Sequence, residues 1–188
     1  MHTEKEKMLA GELYDPLDIR LSEERLRARL LIKELNETSE DEPEKRRRIL
    51  KELIPGAGTG LWLQPPFYCD YGTNIKIGEK VFFNFNCVVL DVAEVNIGSR
   101  TMFGPNVQIY TATHPMNYTD RASGVEYAKP IIIGADVWIG GGVVICPGVE
   151  IGDRSVIGAG SVVTKNIPAD VFAAGNPCRV IRSLVSAE

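Results

Sequence analysis

Residues 133–163 read IGADVWIGGGVVICPGVEIGDRSVIGAGSVV and put Ile133, Ile139, Ile145, Ile151, Ile157 and Val163 at every sixth position. The residues behind these anchors are Gly134, Gly140, Cys146, Gly152, Gly158 and Thr164, and the fifth places hold Val137, Val143, Val149, Ser155, Ser161 and Ile167. A helix repeats its apolar face every 3.6 residues and an amphipathic strand every two, so neither yields a six-residue period with glycine after the anchor. A coil of short parallel strands does. Each hexad then supplies one strand and one corner, the branched residue points inward beside a smaller fifth residue, and stacked coils bury a continuous core. The spacing runs back through Ile77, Phe83, Val89 and Val95, slips by two residues, and resumes at Ile97, Phe103 and Ile109, so the repeat spans from about residue 67 to about residue 175. An ordinary sandwich of short strands seldom keeps so strict a spacing for so long. The hand of the coil is not in the spacing, and the general rule for parallel crossovers is right-handed.

With 188 residues, 24% of them charged, the chain suits one domain with a helical appendage, and no apolar run approaches the length of a membrane span. The start, MHTEKEKMLAGE, lacks the apolar core of a signal peptide and points to the cytoplasm. A net charge of −4 argues against nucleic acid as a partner, and the basic run Lys45 to Arg48, preceded by acids, reads as a solvated helix face. Cys69, Cys87, Cys146 and Cys178 lack paired metal spacing; Cys87 and Cys146 fall where hexads want small residues and read as packing positions, and a disulfide is not expected in a reducing compartment.

Upstream, residues 1–60 form a helical segment ahead of a coil domain at 61–188. Leu21 to Asn36 reads as a helix with Ser22 as N-cap and an apolar face of Leu26, Leu30, Leu31 and Leu35. A second helix starts near Pro43, where Ser39 and Glu42 have capping-box spacing, and stops before Pro55-Gly56. Such helices would cover the open end of the prism, as repeat proteins require. The segment from Pro55 to Pro66 joins them to the coil, and the first residues, including His2, read as disordered.

Between Ile109 and Ile133 the hexads stop, and a polar, aperiodic insertion at about 110–130 carries His114, the one histidine besides His2. A loop extruded from a rigid coil is where function concentrates.

The phrases IGADVWIGGGVVICPGVEIGDRSVIGAGSVVTKNIPADVFAAGNPCRVIR, NFNCVVLD and YTATHP, together with N-terminal GELYD and RLRARLLIKELN, resemble the hexapeptide-repeat acetyltransferases, specifically the maltose and galactoside O-acetyltransferase group. The resemblance covers nearly the whole chain. It implies an all-β fold, a left-handed parallel β-helix with N-terminal helices, assembled as a homotrimer with sites between subunits. It also implies acetyl-CoA as co-substrate, no metal, and a small sugar as acceptor.

Residue by residue, the resemblance gives His114, in THP, the role of general base. Imidazole suits the work of taking a proton from a hydroxyl and returning it to the leaving thiolate, so no acetyl-enzyme is needed. Asn84, in NFN, is either a corner residue or, as in the family, a group beside the histidine that holds the sugar hydroxyl or the developing oxyanion. Backbone N–H groups around Gly141 and Gly142 are further candidates for that oxyanion. Asp70 and Asp91 occupy family acceptor positions, and Asp70 stands where galactoside members tend to have Ser, which tilts the acceptor towards glucose or maltose. In LYDPLD, Asp15 or Asp18 is either an acceptor ligand or a turn and capping residue; Glu126 reads as ordinary surface loop and stays outside the site. On the donor side the family groove maps onto Trp138, Gly141, Ala159, Thr164 and Lys165, with Arg179 and Arg182 near the nucleotide phosphates. Three other functions compete. A β-helix carbonic anhydrase needs three histidine ligands that the chain lacks. An acyltransferase for a galactoside, serine, an antibiotic or a lipopolysaccharide sugar would share His114 and the donor residues, and a non-catalytic sugar-binding scaffold would show no thiol release.

Overall fold

Short parallel strands wind into a three-sided prism in a computed structural model that describes residues 2–185. The first face stacks Gly56–Ala57, Ile75–Ile77, Val95–Ile97, Ile131–Ile133 and Glu150–Ile151. The second face stacks Trp62–Leu63, Phe82–Phe83, Met102–Phe103, Trp138–Ile139, Val156–Ile157 and Val171–Ala174, with Arg179–Ser183 returning antiparallel on the last. The third stacks Phe67–Cys69, Cys87–Leu90, Gln108–Tyr110, Val144–Ile145 and Val162–Val163. The coil therefore begins earlier than the spacing predicts, because Gly56–Ala57 already pairs in parallel with Lys76 and Ile77.

The six-residue anchors point inward and are buried, as are Val137, Val143, Val149, Ser155, Ser161 and Ile167 beside them. The serines are tolerated because Ser155 Oγ donates to Pro168 O at 2.7 Å and Ser161 Oγ to Gly158 O at 2.5 Å, which satisfies each hydroxyl within its own corner. Phe83 and Phe103 stack at 4.3 Å along the axis. Glycine follows the anchor because coils touch there: a Cβ on Gly140 would lie 2.6 Å from Ala159 N and 2.8 Å from Ile157 O. Cys87 is buried and its thiol is pushed up to about 11 by desolvation, and half-buried Cys146 is also raised by burial, which suits packing residues rather than nucleophiles.

The outward residues divide the three faces. The first shows Lys76, Asn96, Ile132 and Glu150; the second shows a column of Trp62, Phe82, Met102, Trp138, Val156 and Phe172; the third shows Tyr68, Val88, Gln108, Val144 and Val162. One face is made for water, and two are largely apolar.

Three helices precede the coil. The first residues are ordered: α1 (Glu4–Ala10) carries a capping box between Thr3 and Glu6 and ends on Gly11 at φ +73°. The next, α2 (Ile19–Asn36), starts earlier than Ser22 predicts, with Asp18 Oδ1 accepting from Leu21 N at 3.1 Å. Its buried stripe is Leu21, Ala28, Ile32 and Leu35, whereas Leu26 and Leu30 are 58% and 61% exposed. Those two sit about 200° around the axis from Ala28 and Ile32, and the helix docks on the face where small Ala28 permits close approach. The third, α3 (Pro43–Leu53), begins at Pro43 as predicted and buries Ile49, Leu50 and Leu53. Glu42 bonds back to Ser39 N at 3.0 Å, but the reciprocal cap is absent. Both longer helices bury their apolar residues in one core with Leu63 and Phe67 and so close the first end of the prism.

Candidate active site

Where the third face turns into the first, the chain leaves the coil. Ala112–Thr113 pairs antiparallel with Tyr127–Ala128 to form a hairpin, whose tip carries the short helix α4 (Tyr118–Ala122). Thr111 roots the hairpin, since its hydroxyl donates to Leu90 O at 2.6 Å and accepts from Ala93 N at 2.9 Å. Thr113 faces Tyr127 across the ladder, so the next two positions, His114 and Glu126, are brought side by side. His114 Nε2 lies 3.9 Å from Glu126 Oε2, with the histidine half-exposed and the glutamate side chain 16% exposed. Glu126 thus belongs beside the predicted base, contrary to its reading as surface loop. Its signal was its place in the hairpin register, which appears only once the insertion is known to fold back. Tyr14, also unanticipated, donates to Glu126 Oε1 at 2.5 Å from the N-terminal segment.

Asp70 lies on the same edge, two coils below, and lines a groove of about 510 Å³ together with Arg29, Lys33 and Tyr68. Burial raises its carboxyl above the ordinary range, the nearby Arg29 pulls it down, and Glu126 pushes it up again. Asp91 needs correction. It is fully buried, Oδ1 accepts from Asp70 N at 3.0 Å and Tyr71 N at 2.9 Å, and Oδ2 accepts from Asn74 N at 3.3 Å. A carboxylate spent on three backbone donors does not reach an acceptor sugar; it shapes the corner that presents Asp70. Asp15 accepts from Leu17 N at 2.8 Å in a turn and Asp18 caps α2, so each has the local use that its sequence context allowed, and Asp15 is the more exposed of the two.

The remaining candidates stand elsewhere. Asn84, Gly141 and Ala159 line the edge between the second and third faces, Trp138 projects from the second face, Thr164 and Lys165 share the His114 edge, and Arg179 and Arg182 ride on the antiparallel end strand. Asn84 Oδ1 accepts from Phe85 N at 2.8 Å, and its amide N–H₂ makes no hydrogen bond among the described residues. Gly142 N donates to Pro105 O at 2.8 Å and so is not available to an oxyanion, while Gly141 N makes no hydrogen bond within the described residues. Between Asn84 and the His114 edge runs a third-face strand, Cys87–Leu90, whose four residues alone cover about 13 Å. Within one chain, therefore, Asp70, His114 and Glu126 gather on one edge, while Asn84 and Gly141 lie on another.

Known proteins share this fold. Residues 7–58 match the maltose acetyltransferase hexapeptide capping motif and residues 130–165 the bacterial transferase hexapeptide of six repeats. The galactoside O-acetyltransferase of Escherichia coli K12 is 46% identical, over 95% of this chain and 88% of its own. A crystal structure of a maltose O-acetyltransferase from Clostridium difficile 630 superposes with a TM-score of 0.96 at 50% identity, covering 98% of this chain and 99% of that one. A galactoside acetyltransferase solved in complex with coenzyme A gives 0.94 at 44% identity, covering 98% and 92%. Identity at that level over nearly the full length of both chains, with the capping motif and the repeats both matched, shows that this chain is an enzyme of the hexapeptide-repeat acetyltransferase family, in the group of the maltose and galactoside O-acetyltransferases.

Proposed function

We propose that the protein transfers the acetyl group of acetyl-CoA to a hydroxyl, the primary one, of a glucosyl sugar such as glucose or maltose, with His114 as general base. The observation that carries this reading is the grouping of His114, Glu126 and Asp70 on one edge, an imidazole among carboxylates in a chain that otherwise places its second histidine at residue 2. Carboxylates accept from vicinal hydroxyls, so they suit a sugar better than an amine-free apolar acceptor.

In the reaction so read, the imidazole takes the hydroxyl proton as the oxygen bonds to the thioester carbonyl carbon. The C–S bond then breaks and the imidazolium returns the proton to the thiolate of coenzyme A. The unbonded amide N–H₂ of Asn84 and the N–H of Gly141 offer donors to the carbonyl oxygen as it becomes negative. The pantetheine arm is assigned to the groove beside Trp138, Gly141 and Ala159, with Lys165, Arg179 and Arg182 for phosphate and Thr164 alongside. All four of the latter are exposed.

Because those groups stand on two edges of one chain, a complete site needs two chains. A homotrimer supplies it: the apolar second and third faces would be covered by neighbours while the first stays in water, and closed symmetry gives three equal sites. We place the enzyme in the cytoplasm, where its four free thiols stay reduced; among the described residues no helix is long and apolar enough to cross a membrane.

The test is release of coenzyme A from acetyl-CoA across glucose, maltose, galactosides, chloramphenicol and serine, for the native protein and His114→Ala. Turnover that prefers glucosyl sugars and collapses in the variant is expected. Turnover that survives the substitution removes His114 as base, and turnover confined to serine or chloramphenicol overturns the acceptor.

A further inference from the structure

The N-terminal segment does more than lead into the helices that close the prism. Beneath the hairpin lies a second small core in which Met8, Tyr14 and Leu21 pack with Tyr71 and Ala128, separate from the core of the coil. Tyr14 and Glu126 meet there three times. Tyr14 N donates to Glu126 O at 3.1 Å, Glu126 N donates to Tyr14 O at 3.3 Å, and the phenol of Tyr14 donates to Glu126 Oε1 at 2.5 Å. The other oxygen of the same carboxylate is the one that faces His114.

From this geometry we propose that Tyr14 is a positioning residue for acetyl transfer: its hydroxyl holds one oxygen of Glu126 so that the other stays aimed at the His114 imidazole. The proposal deepens the function given above and rests on His114 being the base.

The physical logic runs through the proton. The base gains positive charge as it takes the hydroxyl proton, and an ionised carboxylate beside it stabilises that charge only if the carboxylate is oriented and remains ionised. Glu126 is largely buried, so its orientation is set by the few groups that reach it. Tyr14 is the one side chain among the described residues that hydrogen-bonds the Glu126 carboxylate. The other titratable groups facing it are Asp70 and Tyr71, and Arg25 lies against Tyr14 and Tyr71. Arg25 is already engaged by Tyr71 Oη at 2.9 Å, Pro16 O at 2.5 Å and Ser22 Oγ at 3.2 Å, and Asp70 brings like charge. The buried ring fixes where the phenol oxygen sits, and burial followed by the bond to Glu126 keeps the phenol far above its ordinary range, hence always a donor.

Tyr14→Phe removes one oxygen and leaves the ring and the backbone bridge. Expected is a kcat about tenfold lower with the KM for acetyl-CoA unchanged. The acid limb of the kcat/KM profile should also move to lower pH by about half a unit, because an imidazolium with a displaced or neutral partner gives up its proton more readily. A purely structural tyrosine would not move that limb. Glu126→Gln should shift it in the same direction, and adding Tyr14→Phe to Glu126→Gln should shift it no further. An unmoved limb in Tyr14→Phe, or two shifts that add in the double variant, overturns the proposal. Failure of the underlying reading looks different: His114→Ala would then keep its turnover, whatever Tyr14→Phe does. Should Tyr14→Phe not fold, as judged by its melting curve, Glu126→Gln alone decides, since a limb unmoved there leaves Tyr14 nothing to act through.

Discussion

Glu126 Oε2 stands 3.9 Å from His114 Nε2, too far for a hydrogen bond and close enough for an ion pair once the imidazole holds a proton. An interaction of that kind is stronger in the transition state than in the resting enzyme. Removing the imidazole itself should therefore appear in kcat: His114→Ala is expected to lose about 10²- to 10⁴-fold while binding coenzyme A as the native protein does. Calorimetric titration with coenzyme A beside steady-state kinetics separates the two effects.

Asp70→Ser addresses the acceptor. Asp70 lines a groove against α2, and Asp91 holds the backbone that presents it. Replacing a charged acceptor by a hydroxyl should raise KM for maltose about tenfold or more, with KM for acetyl-CoA little changed. Galactosides should lose less than maltose does. Equal losses for both sugars would take acceptor choice away from this position.

Asp91→Asn tests the corner rather than the chemistry. Burial, opposed by the backbone N–H groups of Tyr71 and Asn74, pushes Asp91 up to about 7. A folded value above the unfolded one means that the native state binds the proton more tightly. Stability from this group is thus full at low pH and declines as pH rises from about 4 to about 7. The urea midpoint of the native protein should fall over that range more steeply than that of Asp91→Asn. The variant should also be less stable by about 1–3 kcal/mol, because its amide nitrogen would face the N–H of Asn74 instead of accepting from it.

The corners make a paired prediction. A methyl on Gly140 would meet the Ala159 and Ile157 backbone at 2.6 and 2.8 Å, where nothing flexible gives way. Gly142 has open space around a Cβ but sits at φ +68°. Thermal melts should show Gly140→Ala costing about 2–4 kcal/mol and Gly142→Ala about 1–2 kcal/mol.

Those corners also explain what could be read without coordinates. The period of six is a direct imprint of coil stacking, so anchors, fifth places and glycines were legible residue by residue, and the break at Ile109 marked the hairpin. The hand of the coil was not in the spacing and entered only through resemblance. Of the expected face of α2, Leu31 and Leu35 pack on the core, whereas Leu26 and Leu30 do not, because docking turns on the small Ala28 in a stripe with Ile32 and Leu35. The order of the start is not legible in the sequence because Met8 and Tyr14 bury themselves under a hairpin more than 100 residues downstream, with Tyr14 and Glu126 112 residues apart. Glu126 was missed for the same reason, since its neighbour is set by a ladder between two segments that no local pattern links. Asp91 was identified by position in a phrase, and only burial shows that its oxygens point at backbone.

The last prediction concerns the two edges. His114 and Asn84 are separated in one chain by a third-face strand, so in the trimer proposed above each site would draw its histidine from one chain and its asparagine from a neighbour. His114→Ala and Asn84→Ala should each be nearly inactive alone. Unfolded together in equal amounts and refolded, they should regain activity, because a site that takes His114 from an Asn84→Ala chain and Asn84 from a His114→Ala chain is intact. Random closure of a cyclic trimer makes about one quarter of the sites intact, and the recovered turnover should approach that share of native. A mixture as inactive as its parents would mean that one chain supplies both groups or that Asn84 only builds its corner, and Asn84→Ala measured alone tells these apart.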